Sequence, residues 1–325
     1  MKDILDKTET EKFLKSVISD KNIELEYVYG NKEYEFKLKK MNDKEKYKYE
    51  NENIVILNKD IFIKCLEYCK TNYAFGANIT DLDISLNDKD VRATINGLYH
   101  IKTYCKNDKL EECDPKFMIK KRIENHINDE YNYRLNLKSE IDKNVESPEV
   151  QDFLENYKEK TKTYRYKRRY SFITDDMLYR IDLTGVKMSN GKTFKSSKLL
   201  ESKENYEIEI EYIGNMMCNH ISNIKSFKNQ DNSHLIKNNT YMDNRSFSTR
   251  TSENKIEPLD SSINFKDLYK DIETKDLYDS FNNIVYDINK IIYETEYILS
   301  MTDKNKILDG YYKLCKKKKR FMGPD

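Results

Sequence analysis

The sequence has no tryptophan, only 8 glycines and 4 prolines in 325 residues, and just 4 histidines. The histidines do not cluster, and the six cysteines (Cys65, Cys69, Cys105, Cys113, Cys218 and Cys315) lack C-x-x-C spacing. That pattern argues against a zinc site and fits reduced thiols in a cytosolic setting. No stretch approaches the ~20 apolar residues of a membrane span, and MKDILDKTETEKF has no signal-peptide core. The expectation is a soluble, cytoplasmic protein with no membrane partner. Net charge is scarce too: 58 basic and 57 acidic side chains leave +1. Whole-molecule attraction to nucleic acid is thereby excluded, and anion binding must come from a local cluster. Several chemistries lack their motifs: there is no Cys-x5-Arg, G-x-S-x-G, K-x-D-G or G-x-G fingerprint. Gly185-x5-Gly191-Lys192-Thr193 is one residue too long for a P-loop.

What is present is alternation. Residues 9–19 read as an amphipathic helix, with Phe13, Leu14, Val17 and Ile18 on one side. NIELEYVYG follows as a strand, with Ile23, Leu25 and Tyr27 pointing one way and Glu24 and Glu26 the other. KEYEFKLKK (32–40) alternates again, and 58–72 has helical spacing at Ile61, Cys65, Leu66 and Cys69. Strands then dominate to about residue 213: 82–86, 90–96, 99–105, 116–124, 131–141, 163–173, 177–187, 193–200 and 205–213. One helix near 149–160 interrupts them after Ser147-Pro148, and Ser189-Asn190-Gly191-Lys192 reads as a tight hairpin between two strands. Residues 215–262, rich in Asn, Ser and Lys, read as linker or disorder. A helical segment is clearest over 276–300, where Leu277, Phe281, Ile284, Ile288, Ile291 and Leu299 form an apolar stripe. The run Lys316–Arg320 is either a solvated basic tail or a contact for RNA or a linker.

The polar rows of these strands are densely charged. One carries Arg165, Lys167 and Arg169, another Asp182 and Thr184, a third Glu207, Glu209 and Glu211. Any one such row could face solvent. Many together, each beside an apolar row, predict an α+β, mainly β chain: a closed antiparallel barrel with a polar lumen and helices outside. E-x-E alone carries little, since it recurs at Glu9/Glu11, Glu33/Glu35, Glu50/Glu52 and Glu294/Glu296. Glu24/Glu26 and Glu207/Glu209/Glu211 differ in lying on strands, where alternation sends every carboxylate to one face. Such rows repel themselves in a low-dielectric lumen unless a cation intervenes, and hard oxygen ligands suit Mg²⁺ or Mn²⁺. The counterpart is cationic: Arg165, Lys167 and Arg169 share a face, Arg92 sits with Thr94 on a polar face, and Phe117, Ile119 and Ile123 on the apolar face leave Lys120 and Arg122 inward. By the same parity Arg134, Asn136, Lys138 and Glu140 share a face. Acidic rows for metal and basic rows for phosphates make a polyphosphate site.

Taken in order, this set resembles the triphosphate tunnel metalloenzymes, in particular the RNA triphosphatases of fungal and large-DNA-virus (mimivirus- or poxvirus-like) mRNA capping systems. The resemblance covers about residues 20–214 and rests on Glu24/Glu26, Arg92, Lys120 (or its neighbour Lys121), Arg165/Lys167/Arg169, Asp182/Thr184 and Glu207/Glu209/Glu211. It implies a closed antiparallel eight-stranded barrel over residues 1–214, a linker over 215–262, and over 263–325 a helical segment leading to a guanylyltransferase domain. The ending Phe321-Met322-Gly323-Pro324 resembles the lead-in to that domain, and fusion or docking to guanylyltransferase and methyltransferase domains follows. The implied reaction is hydrolysis of the γ-phosphate from the 5′-triphosphate end of RNA, in the cytoplasm or, for a viral protein, in the viral factory or virion. Glu24, Glu26, Glu209 and Glu211 would hold the metal, and Arg92, Lys120, Arg122, Arg165, Lys167, Arg169 and Thr184 the phosphates. Arg92, Lys120, Lys167 and Asp182 would act in catalysis, with Glu140 or Glu207 orienting water. Tripolyphosphate or free nucleoside triphosphates are the alternative substrates, and a non-catalytic module binding RNA 5′ ends is the alternative role.

Overall fold

The computed structural model describes residues 3–20, 22–30, 55–214, 248–250, 256–258 and 273–321. Its centre is built from eight strands: β1 (Ile23–Tyr29), β2 (Ala74–Leu86), β3 (Val91–Asn96), β4 (Lys116–Asn128), β5 (Tyr133–Lys143), β6 (Lys162–Ile173), β7 (Tyr179–Gly191) and β8 (Glu204–Tyr212). They close into one antiparallel barrel in the order β1-β5-β4-β3-β2-β6-β7-β8. Closure joins β1 to β8, with Glu26 directly across from Glu211. The strand expected over 32–40, most of 215–262, and Met322-Gly323-Pro324 lie outside the described residues. Within 214–273, a unit of its own, β9 (Ser248–Arg250) and β10 (Ile256–Pro258) pair antiparallel.

The apolar rows of the strands face outward, and helices cover much of their length. On one side α1 (Lys7–Ser19) and α5 (Thr274–Tyr293) lie against β1, β5 and β7. Asp6 starts α1, its carboxylate accepting from Glu9 N at 3.1 Å, and the helix buries Thr10, Phe13, Leu14 and Val17 at the spacing of one face. α5 buries Leu277, Phe281, Ile284 and Ile288 and stops at Glu294, whose φ of 51° breaks the helix before Leu299. Phe281 stacks on Tyr179 at 4.8 Å and meets Tyr27 edge-on at 6.5 Å. On the other side α3 (Leu98–Asn107) and α4 (Pro148–Asn156) cover Leu82, Ile84, Ala93, Phe117 and Ile119. α2 (Lys59–Asn72) starts at Asn58, whose side chain accepts from Ile61 N, and a last helix, α6 (Met301–Phe321), follows α5. No described helix is long and apolar enough to cross a membrane.

Several expectations of local structure are corrected. Residues 99–105 are helical, inside α3: Ile101 and Tyr104 are the buried positions, three apart, and Gly97 at φ 81° turns the chain out of β3. Residues 193–200 form helical turns, started by a capping box of Thr193 and Ser196. There is consequently no hairpin at 189–192: β7 runs to Gly191, where a Cβ would stand 2.7 Å from the backbone of Ser197. In β4 a bulge between Arg122 and Glu124 takes Ile123 off the apolar row and leaves it 51% exposed. β2 also starts earlier than residue 82, its first half lying on the exposed end of the barrel.

Candidate active site

Because Leu25 and Tyr27 are claimed by the helices, Glu24 and Glu26 of β1 point into the lumen. The neighbouring strand β8 supplies Glu207, Glu209 and Glu211 on the same side, since Ile208 and Ile210 are fully buried. β7 then places Arg180 across from Glu211, Asp182 across from Glu209 and Thr184 across from Glu207. Beyond it β6 aligns Arg169 with Thr184 and Ser171 with Asp182. The acidic rows and the R-x-K-x-R row therefore lie on neighbouring strands of one wall.

Ion pairs cross between rows. Arg165 bridges both carboxylate oxygens of Glu207, at 2.9 and 3.0 Å. Lys167 is buried and reaches Asp83 at 2.7 Å, where Thr94 Oγ1 also donates at 2.8 Å. Asp182 accepts from Ser171 Oγ at 2.6 Å and Arg180 Nε at 3.1 Å, with Arg169 at 3.6 Å. On the opposite side of the barrel Lys120 links Glu24, at 3.3 Å, to Glu140, and Arg92 lies 3.9 Å from Glu140 and 3.7 Å from Asp83. Lys138 and Asn136 both donate to Glu26, Asn136 at 3.2 Å. Arg180 donates to Glu211 at 2.5 Å.

The charge balance is uneven along this ring. Burial and the neighbouring Glu26 and Glu207 push Glu209 up to about 7. Burial, with Glu24, Asp182 and Glu26 adding repulsion against the pull of Arg180, takes Glu211 to about 8. Burial likewise lifts Glu24 to about 7 in spite of Lys120, with Glu140 adding to the rise. Glu26 is the exception: burial opposes its ionisation, yet Lys138 and Lys120 hold it below the ordinary carboxylate range. Lys167 is lowered by burial and by Arg169 and Arg92, against the pull of Asp83 and Asp81. Four carboxylates on two adjacent strands thus resist ionising together.

In its chemistry this donor set fits a hard divalent cation, which would relieve that repulsion. As the side chains stand, no three His, Cys, Asp or Glu groups among the described residues are gathered to hold a metal, because Glu24, Glu26 and Glu211 are each turned onto a basic partner. Donors for an anion are in surplus. Arg92 Nε, Arg169 Nε and Thr184 Oγ1 are buried without a hydrogen-bond partner, which phosphate oxygens would satisfy.

Every residue read from the sequence as a site residue except Arg122 joins this lumen ring. Arg122 is exposed, though aligned with Lys138, and it is Lys120 rather than exposed Lys121 that meets the carboxylates. Asp81, Asp83, Ser171 and Arg180 were missed. Asp81 and Asp83 alternate with Leu82 and Ile84, the same signal that revealed the other rows, and Arg180 shares the parity of Asp182. Asn136 and Lys138 stood on the predicted polar face without an assigned role.

Residues 102–254 match the family model described as mRNA capping enzyme, beta chain. Similar solved structures include the mimivirus capping enzyme triphosphatase, with 20% identity and a TM-score of 0.45, covering 69% of this chain and 98% of that one. The RNA triphosphatase Pct1 of S. pombe has 13% identity and a TM-score of 0.38, covering 70% and 86%. A Hippeastrum putative adenylyl cyclase with dominant triphosphatase activity has 7% identity and a TM-score of 0.28, covering 64% and 87%. No curated protein sequence matches.

Proposed function

We propose that this barrel is a tunnel-fold RNA triphosphatase that takes the first step of mRNA capping, hydrolysing the γ-phosphate from the 5′-triphosphate end of RNA in a reaction that needs a divalent cation. The observation that carries the reading is the register of closure: Glu26 opposite Glu211, with Arg180, Asp182 and Thr184 on the adjoining strand and the Arg165-Lys167-Arg169 row beyond. Neither charge sign would be stable alone in such a lumen, and a polyphosphate with its cation matches both.

Glu24, Glu26, Glu209 and Glu211 would hold Mg²⁺ or Mn²⁺, which supplies charge neutralisation at a γ-phosphate oxygen when bound. The chain's own groups do the rest. Arg92, Arg165, Lys167 and Arg169 bind and orient the phosphates, and their charge favours the negative charge that builds on the transferred group. Thr184 Oγ1 offers a donor to the same oxygens. Asp182 and Asp83 fix the cationic heads of Arg169 and Lys167 in place. Glu140 stays ionised, since Lys120 outweighs its burial, so it suits accepting a hydrogen bond from the attacking water; Glu207, steadied by Arg165, serves the same end from β8. Lys120 would let go of Glu24 and Glu140 as phosphate enters.

Rates on 5′-triphosphate RNA, nucleoside triphosphate and inorganic tripolyphosphate, measured side by side with Mg²⁺ and Mn²⁺, test this assignment. Higher kcat/KM on RNA supports the capping role. Preference for tripolyphosphate would reassign the substrate, and tight binding of RNA ends without release would make the barrel a binding module.

A further inference from the structure

The last helix, α6, leaves the barrel from a defined place. Glu130, in the turn between β4 and β5, accepts from Met301 N through its carbonyl at 3.1 Å and from Thr302 N and Thr302 Oγ1 through its carboxylate at 2.9 and 2.7 Å. β5 begins right after that turn at Tyr133, three residues from Asn136, which touches Glu26. At 3.3–3.4 Å per residue, the turn that holds the start of α6 begins about 10 Å along the strand from the candidate metal carboxylates. The helix then runs for about 30 Å.

Beyond its first turn the largest side chains described on it stand exposed. Ile307 is 59% exposed, Tyr311 63%, Tyr312 58% and Leu314 67%. A Cβ added at Gly310 would meet nothing within 4 Å. Lys304 is committed inward, 4.5 Å over the Tyr293 ring. The rest of the sequence of α6 is strongly basic: Lys306, Lys313 and the run Lys316–Arg320, against Asp303 and Asp309. A helix docking on another protein would bury its apolar residues along with these charges, at a large desolvation cost. Exposed tyrosines interleaved with lysines match single-stranded nucleic acid better, since rings stack on bases and ammonium groups meet phosphodiesters.

We propose that α6 is a second RNA-binding element, holding the single-stranded segment behind the triphosphate end while that end occupies the barrel. This rests on the RNA reading of the barrel. It makes RNA and tripolyphosphate respond differently to the same substitutions, because only RNA reaches the helix.

Two variants of the full chain test it: Tyr311→Ala with Tyr312→Ala, and Lys316–Arg320 replaced by serine. All lie on a helix that the barrel core does not use. The first readout is affinity for a 5′-hydroxyl single-stranded RNA, which has no triphosphate and so does not depend on the barrel reading. Each variant is expected to lose about fivefold or more at low salt, and the serine variant is expected to show a salt dependence shallower by about 0.7 per contacting lysine removed. The second readout is turnover: KM for triphosphate-ended RNA rises by a similar factor, with kcat and the KM for tripolyphosphate unchanged. Unaltered affinity for the 5′-hydroxyl RNA in both variants would overturn the proposal. So would self-association or partner capture abolished by Ile307→Ser with Leu314→Ser while RNA affinity stays intact, since the helix would then be a protein-docking surface. Failure of the barrel reading looks different: no phosphate release from RNA by the wild type, with the 5′-hydroxyl RNA still bound.

Discussion

Glu26 and Glu211 face each other across the pairing that closes the barrel, and each is tied sideways to a different cation, Glu26 to Lys138 and Glu211 to Arg180. The closing seam of the fold is therefore also its most acidic line. Two opposed carboxylates at a strand junction weaken it by repulsion, and the flanking Lys138 and Arg180 offset part of that cost. The proposed cation site and the fold compete at this seam, and a bound cation would reconcile them.

That competition sets a pH dependence for the metal-free protein. Glu24, Glu209 and Glu211 sit at about 7, 7 and 8 in the fold against an ordinary 4.5. Between about 4.5 and 8 the folded state thus binds more protons than the unfolded chain, so these groups favour folding at low pH and lose that contribution as pH rises. Glu211→Gln removes one of them. The melting temperature of this variant is expected to gain on the wild type as pH increases from 5 to 8, measured with chelator present. A gap that stays flat over this range would contradict the charge assignment.

Asp83 favours the charged form of Lys167 against its burial. Asp83→Asn leaves Lys167 buried beside Arg169 and Arg92 with its ion-pair partner gone and only the coulombic pull of Asp81 remaining, which lowers its pKa further. Activity at neutral pH is expected to fall on the order of 10²-fold, the scale of losing one charge-stabilising donor. Part should return at lower pH, where Lys167 regains its proton. A pH–rate profile whose basic limb does not move would limit Asp83 to a purely structural part. The broken buried pair should also cost about 3–5 kcal/mol in stability.

The barrel needs α5. Asn282 Oδ1 accepts from Ile4 N and Leu5 N at 2.9 and 3.1 Å, Asn289 donates to the Tyr27 hydroxyl at 3.0 Å, and Tyr179 donates to Leu277 O at 2.7 Å. The first two bonds tie the segment before α1, and the last two the outer faces of β1 and β7, whose inner faces carry Glu26 and Asp182, to a helix far away in sequence. A chain truncated after Ile213 is expected to aggregate or melt far below the full chain. Asn289→Ala should lower stability by about 1–3 kcal/mol, the cost of orphaning a buried polar group. A stable, active fragment ending at Ile213 would contradict this.

The strand rows were legible because burial on one face forces period-two alternation, and Arg165, Lys167 and Arg169 stand on one face as that parity requires. Where two periods compete, reading failed. Ile101, Thr103 and Tyr104 look like strand residues, yet the buried pair is three apart and α3 forms. Asp81 falls before the expected strand 82–86 because the first half of β2 is exposed, with Phe75 and Ile79 on the surface; Asp83 lies inside that strand, but as a lone carboxylate there it makes no charged row. The bulge at Ile123 shifts parity by one, which no local pattern announces. Register between distant strands, such as Glu26 with Glu211, depends on closure and cannot be read from either segment alone. The return of residues 274–293 to the barrel is non-local in the same way: a stripe shows that a helix packs, not on what.

The most direct test is release of labelled γ-phosphate from 5′-triphosphate RNA by the wild type, Glu24→Ala and Glu211→Ala, with Mg²⁺ or Mn²⁺ and with chelator. The account predicts cation-dependent release by the wild type, and loss by at least about 10²-fold in both variants with the barrel still folded by circular dichroism. Near-normal release by either variant, or undiminished release by the wild type in chelator, would contradict it.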